Sequence, residues 1–162
     1  MSKNIHIEIS QRDFDLGTEV KRLVGDDNGI GASCSFVGYV RDFSERPEVV
    51  GLELEHYPGM TEKSLQKIAE EACDRWEIEG ITVIHRIGRM MLGEQIVLVV
   101  TTSAHRAEAF AACEFVMDYL KVDAPFWKKE LTNDGDHWVE ARDKDSERAE
   151  KWQIDQSLNG SD

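Results

Sequence analysis

Residues 104–121 form the segment that most limits how this chain can fold. Their apolar residues recur at the period of an α-helix and cover much of the predicted helix instead of a single stripe. These residues are Phe110, Ala111, Cys113, Val116, Met117 and Leu120. Ser103 is the expected N-cap, at the end of the apolar strand 95–102. We therefore expect this helix to be buried more deeply than an ordinary surface helix.

Alternating and helical patterns around this segment predict an α+β fold. Two further helices are expected at 15–24 and 61–76, and strands are expected at 5–9, 32–41, 50–56, 81–87, 95–102, 126–131 and 137–141. The sequence NDGD indicates a hairpin between the last two strands, and Leu92 and Gly93 indicate a turn before residue 95. Helices flanked by strands, together with hairpins, favour α+β over a doubly wound sheet.

The length of 162 residues predicts one domain, 1–152, followed by an acidic tail at 153–162. A marginal helix is expected within 143–156, and 42–48 is expected to be a polar loop. No apolar run approaches the roughly 20 residues that a membrane-spanning helix needs, and MSKNIHIEIS lacks the apolar region of a secretory signal.

Three widely spaced cysteines argue against a disulfide framework and against a zinc site of the CxxC type. They are Cys34, Cys73 and Cys113. We interpret each as a small buried apolar residue, which is compatible with a reducing cytoplasm. His56, His85, His105 and His137 are scattered singly, so the sequence predicts no metal. It also has no glycine-rich phosphate loop, and we expect no cofactor.

The strongest functional signal is a basic cluster in an acidic chain. The chain has 32 Asp and Glu against 19 Lys and Arg, a net charge of −13, which disfavours non-specific binding to nucleic acid or anionic membranes. Lys121, Lys128 and Lys129 nevertheless surround the apolar turn 124–127, with sequence APFW. Screening over about 8 Å lets such a cluster act locally, so we expect it to bind a specific anion.

The sequence SAHR at 103–106 is a second candidate anion site. It lies where the apolar strand passes into the buried helix, whose N-terminus carries partial positive charge and free N–H groups. His105 and Arg106 add side-chain donors suited to phosphate. The alternative is that both side chains are structural and that the cost of cations at this helix end is tolerated.

The lysines have alternative interpretations as well. Lys121 ends the predicted helix, so it either neutralises the helix dipole or, if partly removed from water, acts as an acid, base or nucleophile. Lys128 and Lys129 occupy successive strand positions and are expected to point to opposite faces. Arg41 and Arg142 could each be surface residues. Aromatic and sulfur side chains nearby are expected in the core or in a pocket wall: Phe36, Met117, Phe126 and Trp127.

Five segments in register carry a resemblance to a known family. They are EHYPGMTEKSL (55–65), TVIHRIG (82–88), TSAHRAEAF (102–110), MDYLKVDAPFWKKE (117–130) and GDHWVEA (135–141). Together they resemble the large, catalytic subunits of molybdopterin synthase, and the match covers about residues 5–152.

The resemblance implies a sulfurtransferase that converts cyclic pyranopterin monophosphate to molybdopterin by installing the two sulfur atoms of its dithiolene. The sulfur donor is the C-terminal Gly-Gly thiocarboxylate of a small ubiquitin-like partner. A cytoplasmic heterotetramer is implied, with a central homodimer of this chain. The implied fold is an α/β-hammerhead with an additional antiparallel β subdomain.

The resemblance also assigns residues. Lys121 and Lys128 match catalytic positions. The substrate-binding segments, which include these two lysines, further contain Tyr39, Val40, Arg41, His105, Arg106, Lys129 and Glu130, and pocket support is implied for Phe36, Met117 and Arg142. Arg41, His105 and Arg106 would hold the phosphate and pterin, and Lys128 would orient the thiocarboxylate. Lys121 would move protons or contact the donor tail covalently, and Pro125 and Phe126 would shape the tail's channel.

Two other functions are weighed against this one. The first is a non-catalytic module that binds a Gly-Gly-ended ubiquitin-like protein. The second is a sulfurtransferase or phosphate-processing enzyme with its own cysteine nucleophile, which the apolar context of the three cysteines disfavours. The sequence leaves open whether His105 and Arg106 act in the pocket of a second copy of the chain.

Overall fold

A computed structural model describes residues 3–42, 49–139, 148–150 and 152–153. The elements in chain order are β1 (Asn4–Ser10), α1 (Leu16–Val24), β2 (Ala32–Tyr39), β3 (Val49–His56), α2 (Met60–Arg75), β4 (Gly80–Arg86), β5 (Gly88–Met91), β6 (Gln95–Ser103), α3 (Arg106–Asp123), β7 (Phe126–Thr132) and β8 (Gly135–Val139).

The strands form two four-stranded sheets. The first, sheet A, has the order β1-β4-β6-β2, in which β1 and β4 are parallel and the other pairs are antiparallel. The second, sheet B, has the order β5-β3-β7-β8 and is antiparallel throughout. This arrangement confirms the α+β class, the α/β-hammerhead and its additional antiparallel β subdomain.

The main core lies between one face of sheet A and the two longer helices. Helix α3 buries residues around most of its circumference, including Phe115 and Val116, which are fully buried. Helix α2 contributes the expected stripe of Leu65, Ile68, Ala69 and Ala72. The deep burial predicted for residues 104–121 is therefore confirmed, because α2, sheet A and Trp152 together cover the helix.

The predicted start of α3 is wrong by two residues. Ser103 still belongs to β6, where it pairs with Ala32, and His105 is the N-cap. The Ser103 hydroxyl donates to the backbone oxygen of Glu77 at 2.8 Å and accepts the His105 backbone N–H at 3.3 Å. Strand pairing thus keeps Ser103 extended, and the helix begins at Arg106. It continues to Asp123, two residues beyond the predicted end.

Strand β5 was missed. Residues 88–91 have no alternating pattern, but they pair with β3 and so move the chain from sheet A to sheet B. Gly88 has a φ of 83°, a conformation that favours glycine and lets the chain turn directly after β4. The predicted turn at Leu92 and Gly93 is confirmed, although it joins β5 to β6 and not β4 to β6.

Two further predicted boundaries differ from the structure. The strand predicted at 32–41 ends at Tyr39, after a register shift beside Gly38, so Arg41 follows the strand instead of ending it. The hairpin at NDGD is confirmed, and its strands are 126–132 and 135–139.

Several predictions fall outside the described residues. These concern most of the loop 42–48, most of the helix within 143–156, Arg142 and the tail after residue 153. Residues 148–150 and 152–153 are helical. Of the helices in the described ranges, none is long and apolar enough to cross a membrane.

Candidate functional site

The direction of α3 decides which candidate residues can meet. The helix runs back along β6: Thr101 donates its hydroxyl to the backbone oxygen of Ala109 at 2.7 Å, and Cys113 Sγ lies 4.0 Å from the backbone oxygen of Val99. The C-terminal end of α3 therefore lies at the end of sheet A where β6 begins. Its N-terminal end lies at the opposite end, where β6 finishes.

A buried histidine lies at the C-terminal end of α3. His85, on β4, stacks on Phe126 with ring centroids 4.0 Å apart and an interplanar angle of 21°. Its Nδ1 lies 2.9 Å from the backbone oxygen of Arg86. Burial lowers the pKa of His85 to about 4, and the charges of Lys121 and Lys128 act in the same direction. The two predicted catalytic lysines thus share one neighbourhood.

The lysines reach this neighbourhood from different elements. Lys121 comes from the last turns of α3, and Lys128 lies in β7, two residues after Phe126 and on the same face of the strand. Lys128 is half-buried. Lys121 is exposed in the protomer, so the desolvation considered for this lysine is not present in a single chain.

Lys129 points to the other face of sheet B, as the strand pattern predicts. Its Nζ lies 4.5 Å from the centroid of the Trp138 ring, a cation–π contact. Glu130 is buried and belongs to the Lys128 face by the alternation of β7. The binding segment 128–130 is therefore divided between two faces, and Lys129 lies on the face away from His85.

Tyr39, Val40 and Arg41 lie at the same end of sheet A as Lys121. Tyr39 pairs with Gln95 at the start of β6, and the Val40 N–H donates to the backbone oxygen of Glu94 at 2.8 Å. The Val40 side chain is buried in a cluster with Leu52, Leu54 and Met90 of sheet B. Arg41 follows directly and is exposed. Val40 therefore anchors Arg41 at the junction of the two sheets.

His105 and Arg106 lie at the opposite end of α3, and both are exposed. Arg106 and Lys121 are fifteen positions apart in one helix, which at 1.5 Å per residue separates their backbones by about 22 Å. The start of β2 lies against this helix end: the Gly31 N–H donates to the backbone oxygen of Ser103 at 3.0 Å. One protomer therefore does not bring Arg106 to Lys121.

Phe36 and Met117 line one cleft between β2 and α3. Its volume is about 290 Å³, and its other lining residues are Cys34, Ser35, Phe110, Cys113, Glu114 and Asp118. The structure thus brings together the two pocket-support residues that it describes. Burial raises the pKa of both Cys113 and Cys73, so neither thiol is primed as a nucleophile. In the described part of the chain, no three His, Cys, Asp or Glu side chains are grouped for a metal ion.

His85 is the residue near the site that sequence reasoning treated as isolated. One signal for it was present: a histidine follows the apolar pair Val83 and Ile84, in a strand whose residues are all buried in the structure. A buried polar side chain needs a hydrogen-bond partner. For His85 this partner is the backbone carbonyl of Arg86, the next residue of the same strand.

Comparison with known proteins identifies the family. The family model described as MoaE protein matches residues 9–123. The chain belongs to the MoaE family. The molybdopterin synthase catalytic subunit of Pseudomonas aeruginosa is 55% identical over 147 residues, covering 91% of this chain and 98% of that relative.

Solved structures of family members share the fold. The molybdopterin biosynthesis MoaE protein of Burkholderia ambifaria superimposes with a TM-score of 0.80 at 52% identity, covering 92% of this chain and 98% of that one. The molybdopterin synthase of Staphylococcus aureus gives a TM-score of 0.74 at 32% identity, covering 82% and 96%. These matches confirm the resemblance that the five sequence segments carry.

Proposed function

We propose that this chain is the catalytic subunit of a molybdopterin synthase, a sulfurtransferase acting on cyclic pyranopterin monophosphate. The observation that carries the proposal is that Lys121 and Lys128, from α3 and β7, lie close enough to the buried His85 for both charges to act on it. The sulfur of each thiocarboxylate bonds to a carbon of the substrate while a carbon–oxygen bond at that carbon breaks, and the oxygen leaves with the phosphate or as water. Water then cleaves the bond between the acyl carbon and sulfur, so the donor tail leaves as a carboxylate and the sulfur stays on the substrate.

The cations suit a reaction between two anions. A phosphorylated substrate and a thiocarboxylate repel each other, and each charge-assisted hydrogen bond offsets this by roughly 1.5–3 kcal/mol. Lys128 orients the thiocarboxylate, Lys121 moves protons during attack and acyl release, and Arg41 binds the phosphate from the same end of sheet A. The chain as a whole has a net charge of −13, so these cations are a local positive cluster in an acidic protein. This contrast favours a specific anion site over general anion binding.

We further propose that a second copy of the chain supplies His105 and Arg106. Two observations support a homodimer. β2 is an edge strand of sheet A, and beside it Phe36 and Phe110 are 42% and 62% exposed. A sheet edge that no other described strand pairs with, next to exposed aromatic side chains, is typical of a protein interface. The separation of about 22 Å within one helix means that Arg106 reaches a Lys121 pocket only from another copy.

The sulfur donor in this proposal is a small ubiquitin-like subunit with a Gly-Gly thiocarboxylate. The start of β7 offers a rigid wall for its tail, because the Pro125 backbone oxygen accepts the Thr61 hydroxyl at 3.0 Å and Phe126 stacks on His85. Two small subunits and the central dimer make a heterotetramer. Free thiols are compatible with a reducing cytoplasm, which is the compartment we propose for the reaction.

Reconstitution tests the proposal. The chain is co-purified with a small protein ending in Gly-Gly, the thiocarboxylate is verified by mass, and dithiolene formation from the cyclic precursor is measured. We expect activity from the native chain, loss of it in Lys121→Ala, and native activity in Lys67→Ala on the exposed side of α2. A stable complex that binds the tail but forms no dithiolene would identify a binding module instead. Near-native turnover in a folded Lys121→Ala protein would remove that lysine from the mechanism.

A further inference from the structure

His85 is held more tightly than a space-filling core residue needs to be. The backbone oxygen of Arg86 can only accept a hydrogen bond, so Nδ1 carries the proton and Nε2 keeps a lone pair. Arg86 is itself fixed, because its guanidinium donates to the backbone oxygens of Gln95 at 2.8 Å and Gln11 at 3.1 Å. The tautomer and orientation of the ring are therefore set by the framework of sheet A.

The groups that face His85 come from three other elements. Phe126 and Lys128 approach from β7, Lys121 from α3 and His56 from β3. His56 is in turn 3.4 Å from Glu62 of α2. Charged His85 would add a third cation beside two lysines and would lose the lone pair on Nε2. The neutral form avoids this repulsion and leaves the Nε2 lone pair as an acceptor in the neighbourhood of the two lysines.

We propose that His85 is a positioning residue for the two lysines: its ring fixes the first residues of β7 and presents neutral Nε2 as an acceptor for their ammonium groups. The proposal rests on the function proposed above. The stack on Phe126 fixes the strand two residues before Lys128 on the same face. The bond to the Arg86 carbonyl turns the Nε2 edge of the ring away from the backbone.

Three variants separate the parts of this role. His85→Phe keeps a flat ring against Phe126 and removes both nitrogens. His85→Gln removes the ring but places a carboxamide near the Nε2 position, and His85→Asn places one near Nδ1. His6→Phe is the matched control. It makes the same exchange on strand β1, which neighbours β4, but on the opposite face of sheet A from His85.

Kinetics with the full complex provide the first readout. In His85→Phe we expect kcat for sulfur transfer to fall about tenfold or more, as for the loss of one hydrogen bond to a charged group. KM for the cyclic precursor and affinity for the small subunit are expected to change less than about twofold. His85→Gln recovers part of kcat and His85→Asn does not, while His6→Phe leaves it unchanged. Native kcat in folded His85→Phe would overturn the proposal.

Nitrogen NMR of labelled histidine provides a second readout that needs no activity. We expect the neutral Nδ1–H tautomer of His85 from about pH 5.5 to 8, where an unperturbed histidine titrates. The Nε2 resonance moves in Lys121→Met or Lys128→Met and stays in place in Lys129→Met. A cationic ring at neutral pH, an Nε2–H tautomer, or an Nε2 resonance indifferent to both site lysines would refute the inference.

The two readouts also separate this inference from the proposed function. An inactive native complex would refute the function, and the NMR experiment would still decide whether His85 is the neutral acceptor. An active native complex with a native-like His85→Phe variant would refute the positioning role and leave the function intact.

Discussion

Mixing two inactive variants tests the division of the site between copies of the chain. One variant is Arg106→Ala and the other Lys121→Ala, which alter opposite ends of α3. These positions are fifteen residues apart in one helix, or about 22 Å at 1.5 Å per residue. A phosphate is only a few ångströms across, so one phosphate group contacts both side chains only if they come from different protomers.

The expected recovery can be calculated from this geometry. In a mixed dimer, one pocket combines the two altered side chains and the other combines the two native ones. Random exchange of equal amounts makes about half of all dimers mixed, so about one quarter of all pockets regain a native set. Each variant alone is expected to retain only residual activity. The mixture should therefore reach about a quarter of the native rate.

The assay is dithiolene formation after unfolding and refolding of the mixed chains, with dimer exchange verified by native mass spectrometry. The control mixes Lys121→Ala with Lys128→Ala. Lys121 lies at the C-terminal end of α3 and Lys128 lies in the neighbouring strand β7, so both substitutions alter the same pocket of one protomer. In that mixture each pocket of a mixed dimer lacks one lysine, so no recovery is expected. Recovery in the control, or none in the Arg106 mixture despite verified exchange, would refute a pocket shared between copies.

Three further predictions concern single protomers. Lys128→Met should lower the rate of sulfur transfer by about a hundredfold. Lys129→Met, which loses the contact with Trp138, should lower the rate by less than about threefold. Equal losses in the same assay would contradict the division of β7 into two faces. Cys113→Ala should lower the free energy of unfolding in urea by about 1–2 kcal/mol, because a buried side chain is truncated. Sulfur transfer should persist, because this thiol is not a nucleophile in the proposed reaction, and a folded but inactive variant would support a cysteine mechanism. Because the pKa of His85 falls from 6.5 in the unfolded chain to about 4 in the folded one, unfolded chains bind more protons between these values. Stability to urea should therefore drop by up to about 3 kcal/mol as the pH falls from 6.5 to 4, in excess of the drop in His85→Phe; parallel pH profiles would show that His85 does not titrate as described.

Local patterns predicted the elements that have one dominant periodicity. The broad apolar surface of α3 required burial, and the structure supplies it from α2, sheet A and Trp152. The hairpin of β7 and β8 followed from the turn residues at 133–136. Strand β5 was missed because its pairing with β3 depends on a partner distant in sequence, and its residues carry no alternation of their own.

The boundary errors have a related cause. Ser103 has the chemistry of an N-cap, but its pairing with Ala32 keeps it in β6 and shifts the cap to His105. Propensity is a weak preference that tertiary pairing overrides. The same pairing places the beginning of β2 near the N-terminal end of α3 and the end of β2 near the C-terminal end of α3.

The amino-acid sequence alone determined the class of fold and the family, and it supplied the candidate cations. These are the lysines at 121, 128 and 129 and the arginines at 41 and 106. Only the tertiary structure decided how they are distributed: Arg41, Lys121 and Lys128 at one end of sheet A, Arg106 at the other, and His85 beside the lysines. The reason is that helical rise and strand register set these distances, and register depends on pairing between segments far apart in the chain.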